Sequence, residues 1–239
     1  MKVMTFNIQH CLDYKKQVID IDLFADAIKK YDPDVCGLNE VRGEGPLDGY
    51  TDQTNALGDK LGWDRYFGEA IKVKGSSPYG NAIVSKHKLI SSETIKIPDP
   101  LFKFGHTSYE SRCIVKSLIE FDEWVICFLV CHMGLSKSER KKAVKTLCKF
   151  IDKTYYPIVL MGDFNAEPDD KVLAPLRKRL RDTDIEAEMK NKGTYPSDNP
   201  KVKIDYIFHS DIIKCSSVET IPEVFSDHLP IIAEFSFAE

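Results

Sequence analysis

The stretch "WVICFLVC", Trp124 to Cys131, decides the fold, because all of its residues are apolar. A strand with one face in water alternates apolar and polar residues, whereas a strand that is apolar on both faces needs cover on both sides. The run "IVLM", Ile158 to Met161, has the same character. Two β-sheets packed face to face, with helices on the outside, would supply that cover. The sequence therefore predicts an α/β protein with this architecture.

The rest of the chain alternates short runs rich in β-branched and aromatic residues with a few helical patterns. The predicted strands are Lys2–Ile8, Val35–Asn39, Arg65–Ile71, Asn81–Ser85, Ser91–Ile97, Cys113–Phe121, Trp124–Cys131, Pro157–Gly162, Ile204–His209 and Leu229–Phe237. Helices are predicted over Ile21–Tyr31, Thr54–Leu61, Ser136–Lys153 and Asp169–Arg179. Since no stretch reads as a linker or a repeat, residues 1–239 are expected to form a single domain.

Composition narrows the class of protein. A net charge of −4 argues against a protein that coats itself in nucleic acid by charge alone, although it leaves a local basic patch open. No stretch approaches the length of a membrane span. The seven cysteines form no C-x-x-C pair, and several lie in apolar strand-like runs, as reduced, buried thiols do. We therefore expect a cytoplasmic protein, with no obligate protein partner evident.

Polar side chains stand at the ends of several predicted strands, which is where sites are built in sheet-based α/β proteins. Each has an ordinary explanation by itself, as a turn residue, a surface ion pair or a structural histidine. Together they make four carboxylates, two amides and two imidazoles. They are Asn7 in "TFNIQ", Glu40 in "LNEVRG", His132 in "CHMGL", Asp163 and Asn165 in "MGDFNAEP", Asp205 in "KIDYIF", and Asp227 and His228 in "SDHLP".

The chemistry of this set is coherent. Its oxygen-rich donors suit Mg²⁺ or Mn²⁺, and no Cys/His cluster has the spacing of a zinc site. Hydrolysis of a phosphate ester needs a cation on the phosphoryl oxygens, a carboxylate that orients or deprotonates water, and donors for the developing charge. The set contains all of these groups apart from the cation itself.

In this order, and together with "YGNAIVSK" and "ESR", these motifs resemble the endonuclease/exonuclease/phosphatase superfamily. That superfamily includes deoxyribonuclease I, apurinic endonucleases, sphingomyelinases and inositol-polyphosphate phosphatases, and this chain is most similar to its small bacterial members. The resemblance runs from Lys2 to about Phe237, and its specific part is G-D-x-N followed far downstream by S-D-H-x-P. It implies a four-layer α/β/β/α sandwich of the deoxyribonuclease I type, with two packed mixed β-sheets and helices on the outside, in agreement with the doubly covered strands.

The resemblance also implies a metal site. Glu40 would be the main ligand of Mg²⁺ or Mn²⁺, with Asn7 beside it and Asp227 nearby. Gln9 stands where some nucleases of the superfamily carry an acidic residue, which leaves the presence of a second metal open.

Catalytic roles are implied in the same way. Asp163 would handle the attacking water or the leaving group, and Asn165 would donate to the phosphoryl centre. His132 and His228 would bind or protonate phosphate oxygens, with Asp205 orienting His228. The remaining matched positions would contact the substrate, and these are Arg42, Tyr79, Asn81 and Arg112.

The resemblance specifies the reaction better than the substrate. We expect a metal-dependent phosphoesterase that acts by in-line attack of water on a small phosphate ester or on nucleic acid; in the second case it would be an endonuclease or exonuclease. A further alternative is a non-catalytic module of the same fold that binds a phosphate ligand. The loop 97–112 carries aromatic residues that could hold a base or ring, or could simply pack on their own domain: Phe102, Phe104, His106 and Tyr109.

Two basic clusters could contact phosphates. The first is on the predicted helix Ser136–Lys153, opposite an apolar stripe, and both clusters are typical of solvated helix faces. Their members are Lys137, Arg140, Lys141, Lys142, Lys145 and Lys149 in the first, and Arg177, Lys178, Arg179 and Arg181 in the second.

Overall fold

The centre of the molecule is a pair of stacked β-sheets. The structure, a computed structural model, describes residues 1–101, 109–121, 123–187 and 193–237, and over these ranges each of the two sheets has six strands. The strands are β1 Lys2–Asn7, β2 Leu12–Asp13, β3 Val18–Ile19, β4 Val35–Arg42, β5 Asp64–Val73, β6 Ser77–Ser85, β7 Leu89–Lys96, β8 Cys113–Phe121, β9 Trp124–Cys131, β10 Ile158–Asp163, β11 Arg181–Asp182, β12 Asp205–His209, β13 Ile213–Thr220 and β14 Ile231–Phe237.

Both sheets are mixed. The first has the order β13-β14-β1-β4-β6-β5 and the second the order β11-β12-β10-β9-β8-β7, while β2 and β3 form a separate short ribbon. One parallel pair lies in each sheet: β1 with β4, and β9 with β10. The helices are α1 Ile21–Tyr31, α2 Gln53–Leu61, α3 Lys137–Ile151, α4 Ala174–Arg177 and α5 Thr183–Glu186.

Strand β9 shows why the sheets need cover on both sides. Its alternate residues Ile126, Phe128 and Val130 pack in the core between the two sheets. The intervening residues, Cys127 and Leu129 among them, pack in a second core against α3. A third core lies on the outer face of the first sheet, beneath α1 and α2. The predicted four-layer α/β/β/α sandwich is therefore confirmed.

Local signals set the helix boundaries. Asp20 caps α1, and Ser136 and Glu139 form a capping box at the start of α3, as their spacing indicates. Helix α2 ends at Gly62, whose φ of 72° is in the left-handed region. None of the helices in the described ranges is long and apolar enough to cross a membrane. All seven cysteines are free and buried.

Several elements differ from the sequence prediction. The short strands β2, β3 and β11 and the four-residue helix α5 were not predicted. Instead of one helix over Asp169–Arg179, a 3-10 turn at Lys171–Leu173 leads into the four-residue α4, where Pro175 lacks the N–H that a continuous helix would use. Strand β13 was not predicted, because its exposed positions are polar and a register shift between Cys215 and Ser217 interrupts its alternation.

Gly162 allows β10 to lie beside β9 just before the strand ends. Its φ is 137°, and a Cβ atom there would stand 2.0 Å from the carbonyl oxygen of Cys131. Only glycine avoids both the backbone strain and this clash. The glycine of "MGDFN" therefore positions the residue that follows it, Asp163.

We predict that Gly162→Ala lowers the free energy of unfolding by about 3 kcal/mol, through strain and steric overlap. Gly75 is the matched control: its φ is 74°, but a methyl group at this position would meet no atom within 4 Å. Gly75→Ala should therefore cost only about 1 kcal/mol. Urea unfolding followed by circular dichroism measures the free energy of unfolding of both variants. Equal losses of stability in the two would contradict the packing role assigned to Gly162.

Candidate active site

The parallel strand pairs direct their carboxyl ends to one rim of the sandwich, where a cavity of about 340 Å³ opens. Asn7 ends β1, Asp163 ends β10 and His132 follows β9, while Asp205 begins the antiparallel β12 directly opposite Asp163. The cavity is lined by Glu40, Glu110, Arg112, His132, Leu135, Asp163, Asn165, Tyr195, Ile204, Asp227 and His228.

Glu40 lies at an irregularity in β4. The register between β4 and β6 shifts between Leu38 and Val41, and Glu40 has a φ of 60°, which is rare for a residue with a side chain. Its Oε1 accepts a hydrogen bond from Asn7 Nδ2 at 3.1 Å, and its Oε2 accepts one from the Tyr79 hydroxyl at 2.8 Å. Backbone strain and hydrogen bonds together fix this carboxylate at the cavity wall.

Asn7 bridges two carboxylates. Its Nδ2 also donates to Asp163 Oδ2 at 3.2 Å, while its Oδ1 accepts from the backbone N–H of Gln9 at 3.1 Å. The amide thus presents its nitrogen, not its oxygen, to the site. To act as the predicted metal ligand, the amide would have to rotate by half a turn, since only the oxygen can coordinate a cation.

Asp163 and Asn165 form one tight turn. The backbone N–H of Asn165 donates to Asp163 Oδ1 at 2.9 Å, and Asn165 has a φ of 48°, which asparagine tolerates. The side-chain Nδ2 of Asn165 donates to the carbonyl oxygen of Met133 at 2.9 Å. The ordinary turn that this motif allows is therefore present, and it also orders both side chains at the cavity.

His228 lies between two carboxylates. Its Nδ1 is 2.9 Å from Asp205 Oδ2, and its Nε2 is 3.7 Å from Asp163 Oδ2. Although burial by itself favours the neutral ring, the Asp205 and Asp163 carboxylates raise the pKa of His228 to about 10. The ring is therefore an imidazolium at neutral pH. Burial in turn raises the pKa of Asp163, and the His228 cation opposes that shift.

His132, in contrast to His228, is a neutral imidazole. Arg112 Nη1 lies 3.2 Å from His132 Nδ1, and because a guanidinium can only donate, Nδ1 must accept. The proton is then on Nε2, which is 3.4 Å from Asp163 Oδ2; Asn165 Nδ2, 3.2 Å from the same nitrogen, is itself a donor and forms no hydrogen bond with it in this tautomer. Burial and the Arg112 charge hold the pKa of His132 well below its ordinary value. A neutral and a cationic imidazole thus flank the same carboxylate.

The charge of the site fits a divalent cation. Among the described residues that line the cavity, four carboxylates, those of Glu40, Glu110, Asp163 and Asp227, stand against two cations, Arg112 and His228. Burial raises the pKa of Asp227, and the neighbouring Glu40 carboxylate adds to the shift. Hard oxygen donors with excess negative charge are what Mg²⁺ or Mn²⁺ requires.

A metal-compatible cluster also exists at the other side of the cavity. Ligand atoms of Asp163, Asp205 and His228 all lie within 4.8 Å of one another. The contact between His228 Nδ1 and Asp205 already engages that nitrogen, in the arrangement by which a carboxylate orients an imidazole. The donor chemistry therefore favours the Glu40 and Asp227 side for a hard cation.

The predicted substrate-binding residues are dispersed. Arg112 lines the cavity and pairs with Glu110 at 3.1 Å, and Tyr79 contacts the site through Glu40. Arg42 stacks on the Tyr50 ring at 4.6 Å and is absent from the cavity lining. Asn81 is buried. Of the aromatic loop residues, Phe102, Phe104 and His106 lie outside the described ranges.

Two contributors were not identified from the sequence. Asn39 is fully buried; its Oδ1 accepts from the backbone N–H of Asp163 at 2.9 Å, and its Nδ2 donates to Asn81 Oδ1 at 2.9 Å. The sequence signal that could have identified Asn39 is a polar residue within a predicted strand, directly before Glu40. Tyr195 places its ring 4.9 Å from that of His228, and no sequence pattern marks it.

The fold and the rim of acidic and imidazole side chains define a deoxyribonuclease I-like α/β sandwich. The model of the endonuclease/exonuclease/phosphatase family matches residues 4–228. The chain belongs to the endonuclease/exonuclease/phosphatase family. No curated protein sequence matches it significantly.

Solved structures share this fold at low sequence identity. An endonuclease/exonuclease/phosphatase family protein from Leptotrichia buccalis is 23% identical with a TM-score of 0.81, covering 99% of this chain and 100% of that one. A mannosyl-6-phosphatase from Bacteroides thetaiotaomicron is 16% identical with a TM-score of 0.75, covering 99% and 100%. The human Nocturnin catalytic domain with bound sulfate anion is 21% identical with a TM-score of 0.70, covering 100% and 94%.

We predict that Asn39→Ala destabilises the protein by about 3 kcal/mol, because it leaves two buried groups without partners: the Asp163 N–H and the Asn81 amide oxygen. The exposed Asn55, which bonds to Asp52 and Arg65, is the matched amide control, and Asn55→Ala should cost less than about 1 kcal/mol. Chemical denaturation measures the difference. A loss below that of the control would show that the buried amide pair is dispensable.

Proposed function

We propose that this protein is a divalent-metal-dependent phosphoesterase in which water attacks phosphorus in line. The observation that supports this function best is the convergence of one carboxylate, Asp163, and two differently charged imidazoles on a single cavity. Glu40 and Asp227 share the same cavity. These groups match the separate demands of phosphoryl transfer to water.

The metal would be held by Glu40 and Asp227, with Asn7 as a further ligand after rotation of its amide. A bound Mg²⁺ or Mn²⁺ supplies charge that polarises the phosphoryl oxygens. In this arrangement Glu40 needs no rearrangement, since a carboxylate keeps free lone pairs while accepting from Asn7 and Tyr79.

The chain's own residues would manage the protons. Asp163 is placed to accept a proton from the attacking water, and its raised pKa brings it toward the range of an efficient base. His228, held by Asp205, offers a positively charged N–H to the developing charge. His132 offers a neutral N–H from the opposite side, with its tautomer fixed by Arg112.

The substrate we propose is a phosphate ester. A cavity of about 340 Å³ accommodates one phosphoryl group with a small part of the molecule that carries it. That size suits a small ester, and it equally suits one phosphate of a nucleic acid whose remainder lies outside. The structural neighbours include a mannosyl-6-phosphatase and a sulfate-bound catalytic domain, which supports recognition of a tetrahedral oxyanion.

We predict that Asp163→Ala or His228→Ala lowers kcat by roughly a hundredfold or more, because each removes a group that acts on the reacting atoms. Asp169 is an exposed carboxylate six residues further along, so Asp169→Ala is the matched control and should keep the wild-type rate. Initial rates on nitrophenyl phosphate, bis-nitrophenyl phosphate, inositol phosphates, short RNA and plasmid DNA test the proposal. A folded Asp163→Ala protein with wild-type activity would overturn this role, and no hydrolysis of any ester by wild type would favour the binding module.

Metal dependence gives a second test. We predict that chelation abolishes activity and that Glu40→Gln raises the Mg²⁺ concentration for half-maximal rate by roughly tenfold or more, because it removes a charged ligand. The exposed Glu44 lies four residues away, and Glu44→Gln should leave the metal requirement unchanged. Metal titration at saturating substrate gives the answer. An unchanged requirement in Glu40→Gln would remove Glu40 from the metal site.

A further inference from the structure

A groove larger than the catalytic cavity lies on the outer helical layer. It has a volume of about 650 Å³ and runs between α3 and the segment 171–179. Its floor is made by small apolar side chains, Val144, Cys148, Val172 and Pro175. None of the described residues that line it is aromatic. The floor is narrow, and the walls on both sides carry charge.

The charges are almost all positive. Four lysines on α3 recur at every fourth residue, a rise of about 6 Å each, and two more cations face them across the groove. The six are Lys137, Lys141, Lys145, Lys149, Lys171 and Arg179. The one acidic residue in the lining, Asp152, is engaged by Arg179 in two hydrogen bonds, of 2.6 and 2.9 Å. In the described ranges, none of the five lysines has a carboxylate within ion-pairing distance.

The second basic cluster of the sequence behaves differently. Arg177 pairs with Asp182, Arg179 with Asp152 and Arg181 with Asp211. Its charge is therefore largely neutralised inside the protein. The lysine row of α3 has no such partners, so its positive field extends into solvent although the whole chain carries a charge of −4.

The groove begins beside the catalytic cavity. Leu135 lines the cavity, and Lys137, two residues later, lines the groove. Arg140, on the same turn of α3, donates to the Leu135 carbonyl and pairs with Asp170 at 3.4 Å. A linear polyanion in the groove would therefore extend along α3 away from the cavity mouth.

We propose that this groove binds the phosphate backbone of a nucleic-acid strand. Regularly spaced, unpaired lysines match a linear array of phosphates, whereas the lack of aromatic lining gives bases no stacking surface. Binding is then independent of sequence. A flat anionic bilayer fits less well, because the apolar atoms form the floor of a concave groove and cannot reach a planar surface. The site is separate from the catalytic residues, so binding does not depend on hydrolysis.

The test is fluorescence anisotropy with a labelled single-stranded DNA of mixed sequence, in EDTA to prevent cleavage, over a series of KCl concentrations. The variant is Lys141→Gln/Lys145→Gln. Its control is Lys29→Gln/Lys214→Gln, which removes two exposed lysines that lie on other faces of the protein. Thermal denaturation establishes that all three proteins are folded. Flotation with vesicles that contain phosphatidylserine is run in parallel.

We predict that the groove variant binds DNA roughly tenfold more weakly at low salt. Because each phosphate contact contributes about 0.7 to the slope of log affinity against log salt, the loss of two contacts should reduce that slope by about 1.4. The control should keep both values. Absence of DNA binding by wild type, an equal loss in the control variant, or lysine-dependent binding to vesicles without binding to DNA would each overturn the proposal.

Discussion

The hydrogen bonds of the Asn39 side chain join the two sheets at the rim where the candidate site lies. Through them β4 holds the backbone of β10, and Asn81 on β6 in turn donates to the Cys113 carbonyl on β8 at 3.0 Å. An apolar interface alone would tolerate small sliding of one sheet over the other. A fully satisfied buried amide pair permits one register, so it fixes the distance between Glu40 and Asp163.

That constraint matters because the site is divided between the sheets. Glu40 and Asn7 belong to the first sheet, whereas Asp163, Asp205 and His132 belong to the second or to the loop that follows it. Asn7 donates to Glu40 within the first sheet and to Asp163 across the boundary, which gives the two halves a common hydrogen bond donor. Groups that act on one phosphorus atom must keep their separation to within a fraction of an ångström. The inter-sheet hydrogen bonds therefore serve positioning as much as stability.

The four-layer fold could be predicted because strands such as β9 are apolar on both faces, and the polar strand ends marked most of the residues around the cavity. Other features depend on partners that sequence patterns do not pair. Asn39 contacts Asp163 across 124 residues, and the amide of Asn7 is oriented by a backbone N–H that local propensity does not reveal. Tyr195 reaches His228 through tertiary packing alone. Solvated helix faces and a charged groove also look alike in sequence, since only the fold shows which lysines form no ion pair with the described residues.

The cavity has a negative electrostatic field and the groove has a positive one. This difference limits the directions from which a polyanion can approach the cavity. The four carboxylates that line the cavity repel phosphate, and a bound divalent cation would neutralise only the charges close to it. The lysine row begins two residues after Leu135, at the cavity edge, and runs along α3 away from the cavity. Its attraction therefore acts at increasing distance from the carboxylates that repel phosphate. A long substrate could gain its binding energy along α3 and present a single phosphate to the site. A small ester would contact the cavity alone, so its affinity should fall with salt much less steeply than that of a strand.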